Sequence, residues 1–148
     1  MEIRQTTFAE LHGQAGAMFE AHWREIALNK QLMALSPDLD AYGALESSGK
    51  LFTLCAHEGG SLIGYSVNFI ANHIHYSDLL VATNDALYIA PEYRRGGIGI
   101  KLIRQTEIAA RELGARMMSW HAKENTALCA LMARKGYGVQ DIIFTKEL

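Results

Sequence analysis

Residues 79–90 form an apolar run that ends at Pro91, and residues 98–113 repeat their apolar positions with helical spacing until Gly114 stops them. Between the two lies Arg94-Arg95-Gly96-Gly97-Ile98-Gly99. A strand that feeds a helix through adjacent glycines restricts the chain more than any other feature of its sequence. The glycines let the backbone gather its N–H groups into one concavity, and the helix adds its own unpaired N–H groups and positive dipole end. Such a nest suits a diphosphate, and Arg94 and Arg95 bring opposite charge to its rim.

The remaining chain supplies more strands and helices around this junction. Residues 1–5 read as a short strand, and Thr7 opens a helix with a capping-box pattern that reaches Glu10. Phe8, Leu11, Ala15, Met18, Phe19, His22 and Ile26 then mark one buried helical face. Ser36-Pro37 reads as the start of a second helix carrying Leu39, Tyr42 and Leu45 inward. Residues 51–57 and 62–71 read as a hairpin turned at Glu58-Gly59-Gly60-Ser61, with Ile63, Tyr65, Val67 and Phe69 on one strand face. Residues 116–121 read as a strand, 125–135 as a helix and 139–146 as a last strand. The order β-α-α-β-β-β-α-β-α-β predicts an α/β (α+β) fold, an antiparallel meander followed by a βαβ unit. Its 148 residues suit one domain, 1–148.

Composition narrows the function. The formal charge of −2 offers no positive field for a polyanion, so no nucleic-acid partner is expected. No apolar run has the length of a membrane span and the first residues are no signal peptide, so neither a membrane nor an exported location is expected, and the cytoplasm is. Cys55 and Cys129 sit in apolar stretches without a CxxC and read as buried free thiols. His73, His75, His121 and Asp85 lack the spacing of a zinc site, so no metal is expected.

The glycine loop by itself admits three readings. A plain turn is the first. A dinucleotide fingerprint is the second, but it needs a third glycine where Leu102 stands. A phosphate loop of the Walker type is excluded, because no Gly-Lys-Ser/Thr occurs. The third reading is a family resemblance. Arg94-x-x-Gly97-x-Gly99, preceded by Leu87-Tyr88-Ile89-Ala90-Pro91-Glu92-Tyr93, resembles the Q/R-x-x-G-x-G/A loop of the GNAT superfamily of N-acetyltransferases. Asn125 followed by Gly136-Tyr137 is similar to that family's N-x(10)-G-F/Y signature, and the element order matches along the chain.

The resemblance implies a mixed, mostly antiparallel central sheet with a splayed strand pair and helices on both faces. It implies acetyl-CoA as co-substrate, with pantetheine along the strand edge Leu87, Tyr88 and Ile89. The pyrophosphate would lie on Arg94, Arg95, Gly96, Gly97, Ile98, Gly99 and Ile100, and Asn125 would face the pantetheine or the sulfur end. Asn125 also reads as a helix N-cap. The implied reaction is direct attack by a primary amine, from a small molecule or a peptide. The alternative is an acyl-CoA-binding module without turnover. A homodimer is compatible with the family.

A lysine-like amine of pKa about 10.4 is almost wholly protonated at pH 7, so a base is useful. The resemblance points to Thr83 and Asp85, of which only Asp85 can accept a proton; Asp85 also reads as a strand-end turn residue. His75 and His121 are further candidates for the acceptor site, beside His22 and Trp23, and each also reads as an ordinary half-buried histidine. The family's tyrosine acid is replaced by Met132, which leaves water or Tyr76 to protonate the departing thiolate, and Tyr137 to pack.

Overall fold

The computed structural model describes residues 1–148. Five strands, β1 (Glu2–Thr6), β2 (Leu51–Glu58), β3 (Ser61–Asn72), β4 (Leu80–Ile89) and β5 (Met117–Ser119), make one sheet in the order β1-β2-β3-β4-β5. The first four run antiparallel to their neighbours, and β5 joins β4 in parallel. The expected mixed, mostly antiparallel sheet is therefore present. Its two faces are covered by α1 (Phe8–Gln14), α2 (Gly16–Ile26) and α3 (Leu39–Ser47) on one side and by α4 (Ile98–Glu112) on the other. A fifth helix, α5 (Ala127–Arg134), follows β5.

Each face has its own core. Phe8, Leu11 and Ala15 pack on Cys55, Tyr65, Val67 and Tyr88 beneath the N-terminal helices. Ile98, Leu102 and Ala110 of α4 pack on Phe52, Leu54, Ile63, Ala82 and Ile89. Burying such side chains fully is worth roughly 1.5–3 kcal/mol each. These contacts hold α4, and with it the glycine loop, against the end of β4.

Local chemistry explains most boundaries. The Thr7 side chain accepts the Glu10 N–H and Glu10 reaches back to Thr7, so α1 opens on the expected capping box. The single helix expected over residues 7–26 is instead two, broken at Ala15 between Gly13 and Gly16, which lower helical propensity on both sides. The second expected helix begins at Leu39, not at Pro37, because Asp38 accepts the Ala41 N–H and serves as its cap. Gly59 and Gly60 both take positive φ, at 56° and 83°, which suits the tight turn of a twisted hairpin.

Three further expectations are corrected. Ile63 does not share a face with Tyr65 and Val67, since a register shift between Ala56 and His57 turns it to the α4 side. Cys129 is exposed rather than buried, whereas Cys55 is buried and its thiol is pushed up to about 11 by desolvation. Residues 139–146 form no strand. The sheet ends at β5, which pairs for only three residues, and the tail's Ile142, Ile143 and Phe144 stay exposed. The Asn29 amide donates to Glu147 near its end. No helix is long and apolar enough to cross a membrane.

Candidate functional site

The glycine loop is an open cradle. β4 ends at Ile89, a 3-10 turn spans Pro91–Tyr93, and α4 starts at Ile98 with Gly97 as its N-cap. Gly96 and Gly97 have φ of 96° and 83°, values that L side chains rarely adopt. No side chain caps the helix, and the Gly97 carbonyl first meets an N–H at Lys101. The amides of Ile98, Gly99 and Ile100 therefore lack helical partners. A Cβ at Gly96, Gly97 or Gly99 would project into open space, so nothing of the protein fills the concavity. Open amides at the positive end of a long helix fit a pyrophosphate.

The two arginines part company. Arg94 folds back: its Nε donates to the Ile89 carbonyl at 2.8 Å, and its Nη2 donates to Glu25 of α2 at 2.7 and 2.9 Å. Its guanidinium also lies over the Tyr88 ring, 5.3 Å from the centroid. Arg95 is exposed and engaged by no carboxylate, which leaves it the free cation of the rim.

The strand pair β4/β5 diverges beside this cradle. Pairing covers Val81, Ala82 and Thr83 against Met117, Met118 and Ser119 and then stops. From Asn84 to Ile89 the outer edge of β4 has no strand beside it, so the backbone of Leu87, Tyr88 and Ile89 is free there to take an extended amide chain. The Ile89 carbonyl is the exception, being held by Arg94.

Asp85 stands at a bulge. Val67 faces Ala86 and Asn68 faces Asn84, so Asp85 has no residue opposite it on β3. The buried Asn84 amide fixes this irregularity by donating to Asn68 Oδ1 at 2.9 Å and to the Ala86 carbonyl at 3.1 Å. The bulge directs Asp85 and Ala86 together toward a cavity of about 230 Å³. Phe19, His22 and Trp23 of α2, Leu35 and Pro37 of the following loop, Tyr42 of α3, and Tyr65 and Val67 of β3 complete its walls, with Phe8 and Ile26. Tyr42 donates its hydroxyl proton to Asp85 at 2.7 Å, and burial and that carboxylate push the phenol well above its ordinary range.

His22 pairs with the Tyr65 hydroxyl at 2.8 Å, and its ring lies 4.9 Å from that of Tyr88. Burial drives its pKa down to about 4, against the pull of Glu25, so the imidazole is neutral near pH 7. Burial likewise raises Tyr65, which stays a hydroxyl.

The other sequence candidates are dispersed. His75 and Tyr76 lie in the β3–β4 connection, at the far end of β4 from the cradle, so roughly 17 Å of strand separates them from Asp85. The structure does not bring them to the cavity. His121 is exposed two residues beyond β5, on the opposite side of the divergence from Asp85. Asn125 is exposed with φ of 60°, and the N-cap of α5 is Thr126, whose hydroxyl accepts the Cys129 N–H. Met132 is buried. Tyr137 donates to Glu107 of α4, which also accepts the Trp120 indole N–H, so this ring braces α5 and β5 against α4. Sequence reasoning missed the pairing roles of Tyr42 and Tyr65 and the bulge-fixing Asn84, because each looks like one more residue of a strand or helix face. No group of three His, Cys, Asp or Glu side chains stands close enough to hold a metal ion.

The chain matches the Acetyltransferase (GNAT) family over residues 16–137. No curated protein matches it by sequence. Among solved structures, an aminoglycoside acetyltransferase from an uncultured soil metagenomic sample superposes with a TM-score of 0.78 at 18% identity, covering 99% of this chain and 97% of that one. A ribosomal-protein-alanine N-acetyltransferase from Brucella melitensis biovar Abortus 2308 gives 0.73 at 15% identity, with both chains covered completely. An aminoglycoside N-acetyltransferase solved in complex with CoA gives 0.65 at 22% identity over 99% of both chains. At these identities the likeness is one of fold.

Proposed function

This chain belongs to the GNAT family of acetyltransferases, and from that premise we propose that it uses acetyl-CoA to acetylate a primary amine held in the cavity beside Asp85. The observation that carries the reading is the adjacency of three features on β4: the open cradle after it, the unpaired edge along it, and the bulge that turns Asp85 into a cavity. Acetyl-CoA supplies its acetyl group as a thioester, so attack by a neutral amine forms the C–N bond while the C–S bond breaks and the thiol departs.

The amides of Ile98, Gly99 and Ile100, with Arg95, hold the pyrophosphate. The backbone of Leu87 and Tyr88 orients the pantetheine amides as an added strand would be oriented. Asp85 attracts the acceptor ammonium and takes its proton, which leaves the nitrogen lone pair free. For an amine of pKa about 10.4, being neutral at pH 7 costs roughly 4.6 kcal/mol, and a positioned base typically contributes about 10²- to 10⁴-fold. The Tyr42 hydroxyl bond keeps the carboxylate aimed. Neutral His22 adds no positive charge that would repel the ammonium. The departing thiol, with pKa about 8.5, needs little help from an acid near neutral pH, so the buried Met132 in place of a tyrosine is compatible with turnover.

The test is thiol release from acetyl-CoA with and without a panel of primary amines, with mass detection of the product. Amine-dependent thiol release with a gain of one acetyl group supports the reading. CoA binding without any amine-dependent release would make the protein a binding module instead.

A further inference from the structure

Resting on that reading, we propose that the acceptor is a small monoamine with an apolar or aromatic body, rather than a polyamine or an amino sugar. The cavity of about 230 Å³ is smaller than the roughly 300–1,000 Å³ that drug-sized ligands occupy. Asp85 is the only carboxylate on its walls. One ammonium therefore finds a counter-charge on the cavity walls, and a second finds none there.

Most side-chain polar atoms that line the cavity are already engaged, which leaves Asp85 Oδ1 and His22 Nε2 for a ligand. The Tyr42 hydroxyl is bonded to Asp85, and the Tyr65 hydroxyl to His22. The indole N–H of Trp23 is bonded to the Met33 carbonyl at 2.6 Å. An amino sugar brings more hydroxyls than these two atoms can pair, and each buried unpaired group weakens binding by roughly tenfold or more. The aromatic rings of Phe19 and Trp23 instead suit an apolar body and a nearby cation. The loop that supplies Leu35 also exposes Leu32 and Met33, and its Lys30 ammonium lies 5.8 Å from the Trp23 ring centroid.

The experiment compares 2-phenylethylamine and hexylamine with spermidine and a 6′-amino aminoglycoside, by initial rates with acetyl-CoA and by calorimetric binding to the protein alone. The first two should exceed the others by at least about 100-fold in kcat/KM and should give the only measurable binding heats. Trp23→Ala should lower phenylethylamine affinity and kcat/KM about tenfold or more while changing ethylamine less than threefold. Trp23→Leu, which keeps an apolar wall and protects folding, should weaken phenylethylamine more than hexylamine. Equal or better use of spermidine or the aminoglycoside overturns the acceptor class and leaves amine acetylation standing. Indifference of phenylethylamine to both Trp23 variants overturns it too. CoA binding with no amine of the panel consumed overturns amine acetylation itself, and the acceptor class with it.

Discussion

A graded series at the glycine cradle separates backbone strain from occupied space. Gly99 lies in the first turn of α4 with ordinary helical backbone, and a Cβ there meets nothing within 4 Å. Gly99→Ala should therefore gain up to about 1 kcal/mol of helix stability, which is roughly 1–4 °C in a chain of this size. The resembling loop motif admits Gly or Ala here, so CoA affinity should hold within about threefold. Gly99→Val has nearly glycine's helix propensity and should melt within a few degrees of the parent. Its branched methyls enter the concavity, and losing one charge-assisted amide–phosphate bond is worth about 1.5–3 kcal/mol, or roughly 10- to 150-fold in affinity. Gly97→Ala differs again: at φ of 83° an L side chain costs about 1–2 kcal/mol, so this variant should melt lower even before any ligand is added. Thermal melts and calorimetric CoA titrations on the same preparations read both effects. A Gly99→Val protein that melts like the parent and binds CoA equally tightly would refute the cradle.

Asp85→Asn should preserve the fold and CoA affinity but lower kcat/KM by about 10²-fold or more at pH 7, with the deficit shrinking to about tenfold or less by pH 9.5 as solvent deprotonates the amine; an equal deficit at both pH values means that Asp85 only positions the acceptor. His22 is neutral in the fold and its pKa falls from 6.5 to about 4, so the native state binds fewer protons than the unfolded chain between those values. Its contribution is fully present above pH 6.5 and is lost as pH falls through 4, a change of roughly 3 kcal/mol. Urea unfolding at pH 7 and pH 4 should show that loss in the parent and a smaller one in His22→Gln. Met132→Tyr should overpack the buried face of α5 and cost about 1–3 kcal/mol without raising the rate per folded molecule; a faster enzyme at low pH would place that side chain beside the leaving sulfur.

What the sequence announced was what neighbouring residues decide among themselves. The Thr7–Glu10 cap, the Gly59-Gly60 turn and the strand–glycine–helix junction are each set within a few residues, and all three were legible. The parts set across the sheet were not. The bulge at Asp85 depends on Asn84 finding Asn68 of another strand, and the turn of Ile63 toward α4 depends on the pairing of β2 with β3. Residues 139–146 carry strand-forming side chains yet pair with nothing, although the outer edge of β5 is open, and propensity cannot report whether a pairing forms. The cavity was visible only in part: His22 and Trp23 stood out, while its aromatic walls come from four separate elements that only the tertiary fold assembles. Histidines that stood out by type, His75 above all, lie elsewhere.

The Arg94–Glu25 pair gives the two halves of the site a common fate. The cavity is walled largely by residues before β4, and the cradle is built from residues after it, so most exchanges at Phe19, Trp23 or Leu35 can alter the choice of acceptor without disturbing the donor's seat. Glu25 breaks that independence. It sits on the helix that walls the cavity and grips the first residue of the glycine loop. Exchanging Glu25 in search of a new acceptor also removes one of the contacts that hold Arg94, leaving the Ile89 carbonyl and the Tyr88 ring to keep it in place, so the change reaches the half of the site left untouched in sequence.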